Sequence, residues 1–341
     1  MQPAFTQHPG KVLEAVGDFK HVMATALDPT SGFKKGIVRC IVSREGDVAT
    51  GGYVDRSEIH HISGESLEKF SIGGELKIAG ADEIIKKLAT HRLEPGEFEF
   101  IGFEDPDIFV DDSGLTHTYF TLPFLNKKKR SALVHLGHAV GRDLNSLKMT
   151  MPVLTADPKT YEGAKEVSIA PVNSKGVRLN LVESSKEEKD FTYSTVRIAV
   201  AADMSGPWKF GATIFHPKER RIPWIAGHAS PGPLLPRSFI DLGENKLLGI
   251  MNGREANRRE GKEIKYGMFS VGLFIYDYEL GKIDWVSPEP LIRDSKARTI
   301  TFASQFVETK PGEGILYAHV DDSFVRAYTL SAEKLRPLLP I

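Results

Sequence analysis

The chain has 341 residues, of which 41% are hydrophobic and 26% charged, with 19 Phe, 9 Tyr and 3 Trp. That content supports a packed core and excludes a disordered polyelectrolyte. A formal net charge of −1 excludes the broad basic field that nucleic-acid backbones or anionic membranes require, so neither is an expected partner.

The 31 glycines and 20 prolines, about 15% of the chain against a usual ~12%, predict frequent turns. In chain order, short runs rich in Val, Ile, Phe and Tyr, bounded by turn residues, predict strands. They are Gly36–Val42, Glu97–Ile101, Ile108–Val110, Thr116–Leu122, Val177–Val182, Thr195–Ala201, Lys246–Met251, Phe269–Tyr276, Gly314–Val320 and Phe324–Leu330. The first carries the one cysteine, Cys40, so an intramolecular disulfide and Cys-rich metal sites are excluded and the thiol reads as buried. Between the first two strands, Ala81–His91 places Ile84, Ile85 and Leu88 together with charges opposite and Asp82 in the first turn. This predicts one amphipathic helix covering a sheet edge. The runs Lys127–Arg130 and Lys186–Asp190 read as solvated loop tips. No basic-then-apolar leader opens the chain and no long apolar run crosses it, which predicts a soluble, cytoplasmic protein.

A weak repeat runs through these strands. Four copies of strand, turn and large apolar residue close at Phe70, Met149, Trp208 and Trp285, and Phe324–Leu330 ends the chain in the same style. A period of about 68 residues fits five antiparallel sheets arranged radially, an all-β five-bladed propeller with a helical insertion near 81–91, against a competing β-sandwich pair. No linker or composition shift divides the chain, so residues 1–341 read as a single domain.

Chemistry concentrates in Gly102–Phe109, where Glu104, Asp105 and Asp107 lie between apolar strands. Pro106 fixes its own φ and holds Asp105 extended, so neighbouring carboxylates point in defined directions. The simpler reading is an Asp-Pro turn; the functional one is a pair of carboxyls with separated pKa values, as glycosidic-bond chemistry needs. His60 and His61 point to opposite strand faces and cannot share one metal. His228, in a Gly/Pro-rich loop, is a candidate pocket residue, and Trp224 is the tryptophan left as a sugar platform, since Trp208 and Trp285 close repeats and pack between blades. No Gly-x-Ser-x-Gly elbow, P-loop or dinucleotide fingerprint occurs, which removes serine hydrolase, kinase and dehydrogenase readings.

The block Phe103-Glu-Asp-Pro-Asp-Ile108, Asp111-Asp-Ser-Gly114 and Thr118-Tyr-Phe-Thr121 resembles the five-bladed propeller glycosidases, in particular glycoside hydrolase family 130, the β-mannoside phosphorylases and hydrolases. Further blocks follow in family order: Lys34–Val38 with Ser43-Arg-Glu45, Asp55–Glu58, Lys165–Pro171, Gly227–Pro233 with Lys246–Gly253, Phe302–Gln305 and Leu316–Asp322. The resemblance implies Asp105 as the proton donor acting through a sugar hydroxyl. It also implies Lys165 at the place that lies near phosphate in the phosphorylases, and Asp321, or Asp322, on the sugar. Arg44, Glu45, Asp55, Glu104, Asp107, His228 and Asn252 complete the expected binding set.

Two departures matter. Val182 or Glu183 stands where the phosphorylases carry an Arg, and Asn252-Gly253 replaces their His-Gly. A desolvated phosphate dianion needs charge-assisted donors, so their loss argues for hydrolysis, with Glu183 or Glu255 as the base that activates water. The expected activity is therefore inverting hydrolysis of a small glycoside, a β-mannoside in first place, with no metal and no organic cofactor. The alternatives are a phosphate-dependent phosphorylase, an arabinanase-like furanosidase and a non-catalytic carbohydrate-binding propeller. A homo-oligomer stays open.

Overall fold

The computed structural model describes residues 4–48, 53–91, 97–129, 131–188, 191–261 and 263–340. Among these residues the strands form five antiparallel sheets in chain order. The first blade is His21–Leu27, Lys35–Glu45, Val54–Ser66 and Lys69–Glu75. The second is Glu104–Val110, Thr116–Asn126, Ala132–Gly141 and Lys148–Met149, with Phe98–Phe100 pairing the far half of its second strand. The third is Lys165–Ser168, Arg178–Glu188, Phe191–Ala201 and Lys209–Phe215. The fourth is His228–Leu234, Lys246–Arg254, Phe269–Asp277 and Lys282–Val286, touching the third through one parallel bridge, Ser194 to His228. The fifth is Thr301–Lys310, Glu313–Val320 and Phe324–Ser331, and its outer strand comes from the other end of the chain, Phe5–Gln7.

The core is a ring rather than a centre. One hydrophobic cluster lies between each pair of neighbouring blades: Ile37 and Ile59 against Phe120 and Leu122, Tyr119 and Leu136 against Val182 and Trp208, and Leu181 and Ile198 against Met251 and Phe274. Leu248 and Leu273 against Phe306 and Leu316, and Val325 and Tyr317 against Val38 and Cys40, close the circle. Alternating side chains of a strand serve the cluster on either face, which is why the central stretches of these strands carry apolar residues on both faces. This is the five-bladed propeller, and the sandwich pair falls away. The four repeat-closing residues lie in, or just before, the outer strands of blades one to four. Cys40 is fully buried and burial pushes its thiol up to about 12.

The helix Ala81–His91 lies over the seam of the first two blades, with Leu88 buried and Ile84 and Ile85 packed beside it. Trp208 packs on Tyr119 across a seam, at 5.2 Å between ring centroids. Of the two charged runs, residues 186–188 end the strand Arg178–Glu188 rather than a loop tip, and Arg130, Lys189 and Asp190 lie outside the described residues.

The first strand of every blade lines the central axis, where Ala24, Asp105–Phe109, Glu166–Ile169, Pro231–Leu234 and Ala303–Gln305 enclose one cavity of ≈ 170 Å³. Each of these five strands is also bulged at that level, with register breaks at Met23/Thr25, Glu104/Asp107, Lys165/Val167, Pro231/Leu234 and Ala303/Gln305. A bulge turns a side chain out of the ladder's alternation, so the same device recurs around the axis.

Candidate active site

Above the axial cavity opens a larger one of ≈ 360 Å³, lined by residues of all five blades, among them Arg39, Tyr53, Asp55, Glu104, Asp105, Lys165, Glu166, His228, Arg254, Phe269, Phe302, His319 and Asp322. Asp105 and Glu166 line both cavities. They are the bulge residues of their strands and hold φ of 45° and 50°, so Asp105 is left-handed at the bulge rather than extended as Pro106 would set it. Non-glycine residues in this left-handed region carry strain of ~1–3 kcal/mol each, and such strain gathers at functional sites.

Glycine at position 102 is what lets the acidic segment approach the first blade. Its φ is +112° and a Cβ there would lie 2.0 Å from the Ser57 carbonyl oxygen. Arg39 then reaches across: its Nη1 donates to Asp105 Oδ1 at 2.8 Å, its Nη2 to Glu104 Oε1 at 2.5 Å and its Nε to Ser57 Oγ at 2.8 Å. One buried guanidinium thus holds two adjacent carboxyls. Burial pushes Glu104 up to about 7 against the pull of Arg39, and the charge of Asp105 adds to the rise. Burial also raises Glu166 well above the usual range, followed by repulsion from Asp105.

The third and fourth blades add Lys165, Glu183 and His228. Lys165 Nζ lies 3.6 Å from Glu183 Oε1 and His228 Nε2 lies 3.1 Å from Glu183 Oε2. The latter approach is a close polar contact rather than an aligned hydrogen bond. Burial opposes the Glu183 anion, but His228 and Lys165 outweigh it and hold the carboxyl well below the usual range. Burial lowers the pKa of His228 against the pull of Glu183. On the fifth-blade side, the Ala24 N–H donates to His319 Nδ1 at 3.3 Å, so the ring proton sits on Nε2 and points to Asp322 Oδ1, 3.1 Å away. Arg44 grips Asp55 with two bonds of 2.7 Å.

Asp55, Glu104, Asp105, Lys165, His228 and Asp322 therefore meet in one cavity. The other predicted residues do not line it. Glu183 is 1% exposed and stands behind Lys165 and His228, so it cannot touch substrate directly. Glu255 is paired outward with Arg293 at 2.9 Å and Arg258 at 3.8 Å. Asp321 is a backbone clasp, accepting from the N–H groups of Arg298, Thr299 and Ile300. Asn252 bridges to Ala303 N–H and C=O, tying blade four to blade five. Glu45 is exposed on Arg56, Arg44 acts through Asp55, and Asp107 lies in the axial cavity below. Trp224 is no platform: it is buried against Gly253 and Gly272, where any Cβ would come within 2.4 Å and 2.5 Å of its ring. His60 is satisfied by Gly73 O and Glu58, each at 3.0 Å.

Sequence reasoning passed over Arg39, Glu166, Arg254 and His319. Arg39 had a signal, a lone charge inside the apolar run Gly36–Val42, and Glu166 is the neighbour of Lys165 in a block already singled out. Among the described residues no cluster of three or more His, Cys, Asp or Glu is arranged to hold a metal, and no helix is long and apolar enough to cross a membrane.

The five-bladed propeller is a fold shared with solved structures of glycoside hydrolases and mannoside phosphorylases. One, from the GH130 family of mannoside phosphorylases that contains hydrolases targeting β-1,2-mannosidic linkages in Candida mannan, superposes with a TM-score of 0.68 at 16% identity, over 97% of this chain and 94% of that one. A glycosyl hydrolase from Bacteroides ovatus gives 0.66 at 15% identity over 97% and 94%. A β-1,2-mannobiose phosphorylase from Listeria innocua gives 0.61 at 13% over 99% and 97%. The fold is thus the one seen in family 130 and its glycoside hydrolase neighbours. No protein-family model matches the chain, and no curated protein matches it in sequence.

Proposed function

We propose that the protein is a glycosidase that hydrolyses a small β-mannoside-type glycoside with inversion. The observation that carries this reading is the placement of the Arg39-bound Glu104–Asp105 pair and the His228–Glu183 pair in the walls of one cavity. Burial keeps a proton on Glu104 near neutrality, and Asp105 beside it, the bulge residue, passes that proton to the leaving oxygen. On the fourth blade, His228 takes a proton from water while Glu183 behind it stabilises the imidazolium that forms. Asp55 and Asp322, fixed by Arg44 and His319, accept hydrogen bonds from sugar hydroxyls, and Phe302 and Tyr53 give apolar wall.

The test is release of sugar from β-mannosides of defined linkage, with the first-formed anomer read by NMR. The α-anomer of mannose is expected, and Asp105→Asn should lower kcat by at least ~10²-fold. Unchanged activity in Asp105→Asn would sink the assignment. A second reading, phosphorolysis, is favoured by one observation, that Lys165 and Arg254 share the cavity. The same assay with and without inorganic phosphate separates them, since phosphorolysis gives a sugar 1-phosphate.

A further inference from the structure

We propose that the substrate carries a carboxylate and that Arg254 is the residue that recognises it. This rests on the glycosidase reading for the sugar, but the anion is argued from a part of the cavity that the proposed chemistry leaves unused. Arg254 ends the second strand of blade four and lines the cavity while being only 8% exposed. Its guanidinium is clamped between aromatic rings, 4.2 Å from the Tyr266 centroid and 5.3 Å from that of Phe269. Its Nε is buried with no hydrogen-bond partner. Among the described residues no carboxylate lies within ion-pair distance of it, whereas in the same region Arg44 and Lys165 each have one and Arg39 has two.

A buried guanidinium without an anion is costly, and burial accordingly lowers the pKa of Arg254. Arginine nevertheless stays charged, and its planar fork matches a carboxylate in two parallel bonds. The charge balance chooses the kind of anion. Lys165 is matched by Glu183 and Arg254 by no carboxylate, so Arg254 leaves this wall with one uncompensated positive charge. One charge suits a monoanionic carboxylate; a phosphate dianion would need a second cation that Glu183 has already taken. The substrate class is therefore an acidic glycoside, a uronic acid or a sugar with a carboxyl-bearing aglycone, rather than a neutral one.

Calorimetric titration of the full chain tests this with matched ligands: methyl mannopyranosiduronate against methyl mannopyranoside, the gluco pair likewise, and inorganic phosphate. At least one uronate should bind about tenfold or more tightly than its neutral partner. Arg254→Gln should bring that ratio to about one with the neutral sugar's affinity kept within about twofold, and Arg254→Lys should retain part of the preference. A ratio near one in the unaltered protein, no measurable uronate binding, or a preference that survives in Arg254→Gln would overturn the proposal. So would loss of neutral-sugar affinity along with uronate affinity in both variants, or Arg254-dependent phosphate binding tighter than either uronate. Binding is read without turnover, so a carboxylate preference in a protein that cleaves nothing would defeat the glycosidase reading and leave this one standing.

Discussion

Glu183 illustrates how a residue can matter to a cavity it never touches. Its carboxylate is buried between Lys165 and His228, and removing the charge leaves a cation in a site of low dielectric. Glu183→Gln should therefore cost ~3–5 kcal/mol of stability near neutrality, read from urea unfolding. The sign with pH follows from the depressed pKa: the stabilisation is present above the ordinary glutamate value of 4.5 and is lost as pH falls below it. The gap between the two proteins should then narrow on acidification; a constant gap would mean that Glu183 acts by packing and not by charge. The second blade predicts a different pH response. Burial and the Asp105 charge push Glu104 up to about 7, so the proton the pair donates is lost as pH rises through that value. The kcat/KM profile should fall above about pH 7 with a slope of one proton. Glu104→Gln should shift that limb while Arg44→Ala, which acts on Asp55, should not.

The elements explain both what was readable in the sequence and what was hidden. Most second and third strands of the blades announce themselves through an apolar stretch buried on both faces, as in Gly36–Val42 or Phe269–Tyr276, whereas Val54–Ser66 is too polar along its length to do so. Four of the five axial strands, His21–Leu27, Lys165–Ser168, His228–Leu234 and Thr301–Lys310, went unpredicted. They carry the bulges, the prolines Pro231 and Pro233, and polar groups aimed at a cavity, all of which break the alternation that marks a strand. The site inherits this concealment: Glu104 and Asp105 were legible from their own density of charge, whereas Glu166 and Arg254 gain meaning only when five strands converge. The closure by Phe5–Gln7 was likewise invisible, because pairing of residue 6 with residue 329 has no local signal. That closure carries a testable load. Buried Arg326 donates from Nη1 to His8 O at 2.9 Å and Pro9 O at 3.0 Å, besides lying 2.7 Å from Asp294. Deleting residues 1–9 should strip both acceptors and expose the edge of Phe324–Ser331, costing about 3 kcal/mol or more in urea unfolding and promoting aggregation through the bared strand. A truncated chain as stable and as monodisperse as the full one would show that the fifth blade does not depend on this strand.

At the scale of the whole molecule, five seams of core leave the axis itself unfilled by apolar side chains, and the propeller must tolerate polar groups there. Asp107 is the clearest case. It lines the axial cavity beneath Asp105, accepts only its neighbour's amide, Ile108 N–H at 2.9 Å, and burial pushes it up to about 7. A carboxyl raised in this way favours the folded state while protonated: its contribution is complete below the ordinary aspartate value of 3.8 and disappears as pH rises through about 7. Asp107→Asn stays neutral at every pH and can accept the same amide, so it should match the unaltered protein near pH 4 and exceed it by ~2 kcal/mol near pH 9. The measurement is the urea midpoint of both proteins at the two pH values. An offset that does not change with pH would mean that water enters the axis freely and screens the carboxylate. A widening gap would mean that the five axial strands close tightly enough to set protonation at the floor of the cavity, the same closure that raises Glu104 and Glu166.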